Sequence, residues 1–124
     1  MKSRLGLTVA CVALAACTPV DATSASQVTL REFAIEVDAA EIDPGGTLQV
    51  ANVGEFGHTL VITDSSAAVV AATDLIAAGE SLVIEADWAP GTYSLTCRIV
   101  VEAEPGVLVD HYAEGMQATL SVAG

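Results

Sequence analysis

Along most of the chain apolar and polar residues alternate with a period of two, the repeat of a strand that buries one face. "QVTLREFAIEV" (27–37) alternates and is rich in β-branched residues. "TLQVANV" (47–53) puts Leu48 and Val50 on one face, and "HTLVIT" (58–63) puts His58, Leu60 and Ile62 on one face. "SLVIEADW" (81–88) groups Leu82, Ile84 and Ala86, "GTYSLTC" (91–97) groups Tyr93, Leu95 and Cys97, and "MQATLSV" (116–122) groups Leu120 and Val122. No run of ten or more residues carries a clean 3.6 period with caps. "AAVVAATDLIAA" (67–78) is ambiguous: its alanines suit a short helix and its valine pair suits a strand. "DPGG" (43–46), "AAGE" (77–80) and "APG" (89–91) read as turns, because proline presets φ and glycine permits positive φ. Seven to eight short strands predict an all-β fold, a Greek-key β-sandwich. With five aromatic residues in 124, its core must rest on Val, Leu, Ile and Ala.

The first residues break this pattern. Lys2 and Arg4 precede the apolar run "LGLTVACVALAA" (5–16), which is too short to span a bilayer as a mature helix and has the form of a secretory signal core. It leads into "LAAC", ending at Cys17, which resembles a bacterial lipobox whose cysteine is lipidated and becomes the first mature residue. The other reading is ordinary cleavage nearby, with Cys17 removed or left as a free thiol. "TPVDATSAS" is small and polar, with too little apolar surface to fold. The expected organisation is a signal peptide over 1–16, a lipidated Cys17 and tether over 17–26, and one domain over 27–124. An exported, membrane-anchored monomer is expected, its domain facing the periplasm or the exterior. Without the signal, two arginines stand against sixteen acids, a net charge of −14. Such a surface repels nucleic acid and attracts basic proteins, although acidity can also serve solubility alone.

After the signal the chain holds two histidines, His58 and His111, one methionine, Met116, and one cysteine besides Cys17, namely Cys97. A type 1 copper site needs two imidazoles, a thiolate and a weak axial thioether, so the inventory is complete with none to spare. In an oxidising compartment an unpaired thiol is a liability, and a ligand role would explain Cys97. Taken singly, each residue has a plainer reading: a small buried cysteine, edge or surface histidines, a core-filling methionine. Strand geometry favours convergence, because Cys97 and His58 each share a face with inward apolar residues. Zinc is the poorer fit, since a thioether binds it weakly.

Several segments match a known family. "NVGEFGHTLVI" (52–62), "PGTYSLTCRI" (90–99) and "DHYAEGMQATLSV" (110–122) resemble, in family order, the three ligand-bearing segments of cupredoxins, the small blue copper proteins; "REFAIEVDAAEIDPGGTLQV" (31–50) resembles their opening strands. The resemblance implies His58, Cys97 and His111 as strong copper ligands and Met116 as the axial one. It also implies that the His111 ring edge lies toward solvent and passes the electron. Two features depart from the family pattern. Thirteen residues separate Cys97 from His111, against a handful in many relatives, and Thr59 follows His58 where relatives often carry Asn. "RIVVEA" and "VLVDH" flank "EPG", so the insertion is expected to be a β-hairpin whose ends stay close while Glu104–Gly106 projects. A disordered acidic loop is the alternative. Arg98 is expected to pair with an acid or to raise the potential of a copper beside it.

The expected function is one-electron transfer at the cell envelope through Cu(II)/Cu(I). The expected partner is a redox protein, such as a cytochrome or an oxidase domain, with a basic docking patch. The alternative is copper handling by a chaperone or buffer, which the lack of Met-rich or His-rich tracts disfavours. An enzyme is not expected, because no histidine remains for a second copper site.

Overall fold

The computed structural model describes residues 22–124; the expected signal segment and the lipidation candidate Cys17 lie outside the described residues. Ten strands are present among them: β1 Thr23–Arg31, β2 Ala34–Val37, β3 Glu41–Asn52, β4 Val61–Thr63, β5 Val69–Ala72, β6 Ser81–Ala86, β7 Gly91–Thr96, β8 Val100–Glu104, β9 Val107–Asp110 and β10 Gln117–Val122. Eight form one hydrogen-bonded network in the order β2-β1-β3-β10-β7-β4-β5, with β6 also paired to β3. β8 and β9 form a separate two-stranded sheet. The architecture is the expected all-β Greek-key sandwich with an added hairpin.

The inward faces are those the alternation predicts. Leu48, Val50, Leu60, Ile62, Tyr93, Leu95, Leu120 and Val122 are all buried. Each such side chain removed from water contributes about 1.5–3 kcal/mol. β7 lies between β10 and β4, with Leu95 opposite both Ala118 and Ile62, so it forms the spine that carries Cys97 at its end.

Three local expectations are corrected, and one left open is settled. The run 27–37 is not one strand: it folds back at Glu32 and Phe33 into the antiparallel pair β1–β2. Phe33 makes the reversal at φ 65, and buried positions shift from Val28 and Leu30 to Ile35, a change of parity. "DPGG" does not end a strand. β3 runs through it with Gly45 at φ 78; residues 41–42 pair with β10, and residues 46–51 pair with β6. The bend lets one strand pair with β10 before it and with β6 after it. The ambiguous stretch 67–78 contains the short strand β5 and a loop that buries Ile76. Residues 23–26, expected in the tether, belong to β1, where Ser26 is buried and its hydroxyl donates to Ala39 O at 2.7 Å.

Asp38 follows β2 and closes the open end of the β1–β2 pair, opposite the turn. Its carboxylate accepts from Gln27 N (2.7 Å) and Ser26 Oγ (3.2 Å). The backbone bond from Gln27, foremost, holds its carboxyl below the ordinary aspartate value. A lowered folded value adds stability above the unfolded pKa of about 3.9, and that stability is lost as pH falls through the folded value. Urea unfolding of wild type and Asp38→Asn should therefore show a gap near neutral pH that narrows below about pH 4. A gap that does not change with pH would count against the bond.

Candidate metal centre

Each of the three donor residues is placed by a different local device. His58 follows a loop organised by Asn52, which is buried: its Nδ2 donates to Phe56 O (2.8 Å) and Ile76 O (2.9 Å), and its Oδ1 accepts from Gly54 N (2.9 Å). His58 itself exchanges both backbone hydrogen bonds with Ile76, at 3.0 and 2.8 Å. Asn52→Ala would strand Phe56 O and Gly54 N, each costing about 1 kcal/mol or more, whereas Ile76 O keeps its bond from His58 N. We expect this variant to lower stability by about 2–3 kcal/mol in thermal unfolding. A loss within error would remove Asn52 from this role.

Cys97 stands just past β7, and its amide donates to Met116 O at 3.2 Å. His111 follows the insertion. β8 and β9 pair antiparallel around a turn with Gly106 at φ 80, and the base of the hairpin sets Asp110 opposite Val100. His111 N donates to Ile99 O at 2.9 Å, so the thirteen intervening residues return to within reach of their origin. The hairpin expected from "EPG" is therefore present. Beyond it the chain turns tightly: Asp110 Oδ1 accepts from Tyr112 N (3.0 Å) and Ala113 N (3.3 Å), and Met116 N donates to His111 O (3.1 Å).

These devices bring the donors together. His58 Nδ1 lies 3.2 Å from His111 Nδ1, Cys97 Sγ lies 3.9 Å from His58 Nδ1, and Cys97 Sγ lies 3.6 Å from His111 Nδ1. All three residues are fully buried. Donors that share one ion at about 2.0–2.3 Å sit about 3–4 Å apart, so the separations suit a single ion. Met116 is also fully buried, and its backbone is bonded to both Cys97 and His111. Two imidazoles, a thiolate and a nearby thioether are the donor set of a type 1 copper, and these residues fit one such ion. Burial, foremost, and the neighbouring His58 hold the His111 pKa below its ordinary value, which keeps a lone pair available near neutrality.

The surroundings differ from the sequence expectation in two ways. His111 does not present its ring edge to solvent. The ring is fully buried, Phe33 packs edge-on against it with centroids 5.3 Å apart, and its Nε2 has no hydrogen-bond partner among the described residues. It faces a pocket of about 350 Å³ lined by Phe33, Phe56 and the hairpin residues Val101, Glu102, Ala103 and Val109. The hairpin is thus a flap over the ring. Among the described residues Arg98 pairs with no acid: its guanidinium lies over the Tyr112 ring, 3.7 Å from the centroid. Thr59 Oγ1 reaches within 3.9 Å of Cys97 Sγ, so the hydroxyl can still link the two ligand segments.

Sequence reasoning missed Glu32, Phe33 and the structural role of Asn52. Glu32 Oε1 lies 3.1 Å from His58 Nε2, and its carboxylate also accepts from Glu55 N (2.9 Å) and Phe56 N (3.2 Å). The Glu55 amide, foremost, lowers its pKa. The only available signal was the parity change across residues 32–33.

No protein-family model and no curated protein matches the chain. Solved structures do match. An auracyanin from the photosynthetic bacterium Roseiflexus castenholzii, reduced with dithionite, is 24% identical over 84% of this chain and all of its own, with a TM-score of 0.59. An oxidised plastocyanin from Dryopteris crassirhizoma is 23% identical over 77% of this chain and 98% of its own, with a TM-score of 0.53. A purple cupredoxin from Nitrosopumilus maritimus is 14% identical over 83% of this chain and all of its own, with a TM-score of 0.53. At these identities the likeness establishes a cupredoxin-like fold.

Proposed function

We propose that the protein is a type 1 copper protein that carries single electrons between redox partners at the cell envelope, with Met116 as the axial ligand. The convergence of His58 Nδ1, Cys97 Sγ and His111 Nδ1 in a fully buried cluster carries this reading. Copper bound there supplies a one-electron couple. The chain's part is to hold the donors still: each is tied by backbone bonds to a strand or a capped turn, so little must move when the charge changes. Solved structures of the same fold include a mutant fern plastocyanin in oxidised and reduced states and an amicyanin variant in a reduced Cu(I) form. The burial favours a carrier over a copper chaperone, because handing over an ion requires an accessible ligand. Both histidines of the chain are committed to this one cluster, which leaves none for an enzymatic second copper site.

The flap supplies a docking face. Val100, Val101, Val107, Leu108 and Phe56 are exposed large hydrophobics, and Glu102, Glu104 and Glu55 are exposed acids of the same two segments. An apolar patch with an acidic rim suits a weakly bound basic partner such as a cytochrome or oxidase domain. Cys17 would anchor the chain to the membrane by a lipid, with residues between it and β1 as a tether. Among the described residues no helix is long and apolar enough to cross a bilayer.

The test is to add Cu(II) to the purified protein, record the visible spectrum, and follow electron exchange with a cytochrome by stopped flow. Intense thiolate-to-copper absorption and fast reversible exchange are expected, with exchange slowing as salt rises. Copper uptake with slow, irreversible redox would point to storage instead.

A further inference from the structure

One turn touches both imidazoles. β1 ends at Arg31 and β2 begins at Ala34, so Glu32 and Phe33 make the reversal, with Phe33 held at φ 65. Phe33 lies against the His111 ring, and Glu32 reaches the far nitrogen of His58. The Glu32 side chain is only 27% exposed, although it is the acid of a surface turn. Space for it is made by Gly54: a Cβ there would collide with Glu32 Oε1.

We propose that Glu32 is a positioning residue that fixes the His58 tautomer and lowers the reduction potential of the centre. The potential half rests on the copper reading above; the tautomer half does not. An ionised carboxylate can only accept hydrogen bonds. Facing it at 3.1 Å, His58 Nε2 must carry the ring proton, which leaves the lone pair on Nδ1, the atom that faces Cys97 and His111. The negative charge also makes the imidazole a stronger donor, which favours the more highly charged, oxidised ion. The amides of Glu55 and Phe56 hold the carboxylate in place, so the charge stays where it acts. A purely structural alternative is that Glu32 only ties these two amides and touches His58 incidentally.

The test has a metal-free arm and a copper arm. In the full chain without metal, nitrogen-15 NMR is expected to show His58 as a single Nε2–H tautomer, and Glu32→Ala is expected to mix the two tautomers. With copper, voltammetry of Glu32→Gln and of Gly54→Ala is expected to show higher midpoints than wild type. These variants remove or displace the charge by independent routes, and Cu(II) affinity should fall about tenfold or more. Glu32→Asp, which keeps the charge but moves it back one methylene, should fall between. An Nδ1–H tautomer in wild type overturns the first half. Equal midpoints in wild type and both variants, even with lowered thermal stability, overturn the second and leave Glu32 a loop clamp. A chain that takes up no copper overturns the second half together with the copper reading, and the NMR result still decides the first.

Discussion

Replacing Cys97 with alanine is expected to abolish the thiolate-to-copper absorption completely while the sandwich stays folded. The two effects separate because of where Cys97 sits. It stands one residue past the end of β7, fully buried, and its backbone bond to Met116 O does not depend on the side chain. Removing one sulfur from the core costs about 1 kcal/mol, well within the stability of a domain of this size. The metal loses its only anionic donor. If four protein ligands share a binding free energy of about 10–16 kcal/mol, one strong ligand is worth about 3–4 kcal/mol, a loss of more than 100-fold in affinity. Far-ultraviolet dichroism should match wild type, and a competitive chelator should strip the residual ion readily. Retained intense colour in Cys97→Ala would mean that the copper sits elsewhere, and the whole site assignment would fail.

How much of this was legible depended on which physical rule governed each element. Period-two alternation placed His58 with Leu60 and Ile62, and Cys97 with Tyr93 and Leu95, and all six are buried. The flap was legible because Pro105 and Gly106 are turn chemistry between two β-branched runs, and Gly106 does adopt φ 80. The β1–β2 reversal was not, because Glu32 and Phe33 carry no turn signature. Phe33, at positive φ, packs its ring on His111, and the neighbouring Glu32 carboxylate reaches His58, contacts distant in sequence. The same tertiary origin hid Glu32, which the alternation placed inside a single run over 27–37. "DPGG" misled in the opposite direction. Its residues suit a turn, but partners on both sides keep β3 extended and the glycines are used to bend it. The expectation of a solvent-facing His111 came from family resemblance alone. Val101, Ala103 and Val109 belong to the insertion in which this chain departs from that pattern, and they help to cover the ring.

Leu95→Ala is expected to cost about 3–4 kcal/mol, whereas Leu108→Ala should change stability by no more than about 0.5 kcal/mol. Both remove the same atoms from a strand. Leu95 is fully buried on β7 and has cross-strand neighbours on both sides, so its truncation leaves a cavity that a tightly paired sheet cannot close. Leu108 is 69% exposed on the flap, whose two strands pair only with each other. For a domain near 100 residues the difference corresponds to a melting temperature roughly 12–25 °C lower for Leu95→Ala than for Leu108→Ala. The functional consequences should run the other way. Cys97 lies two residues beyond Leu95, but its position is also held by the bond to Met116 O, so copper loaded into Leu95→Ala below its melting point should keep its absorption maximum. Leu108→Ala should leave spectrum and stability alone yet slow electron exchange with a basic cytochrome, because it removes apolar contact at the proposed docking face. Scanning calorimetry and stopped-flow exchange on the same pair of variants test both halves together. If Leu108→Ala exchanges electrons as fast as wild type, the flap is a cover for His111 and not a docking surface.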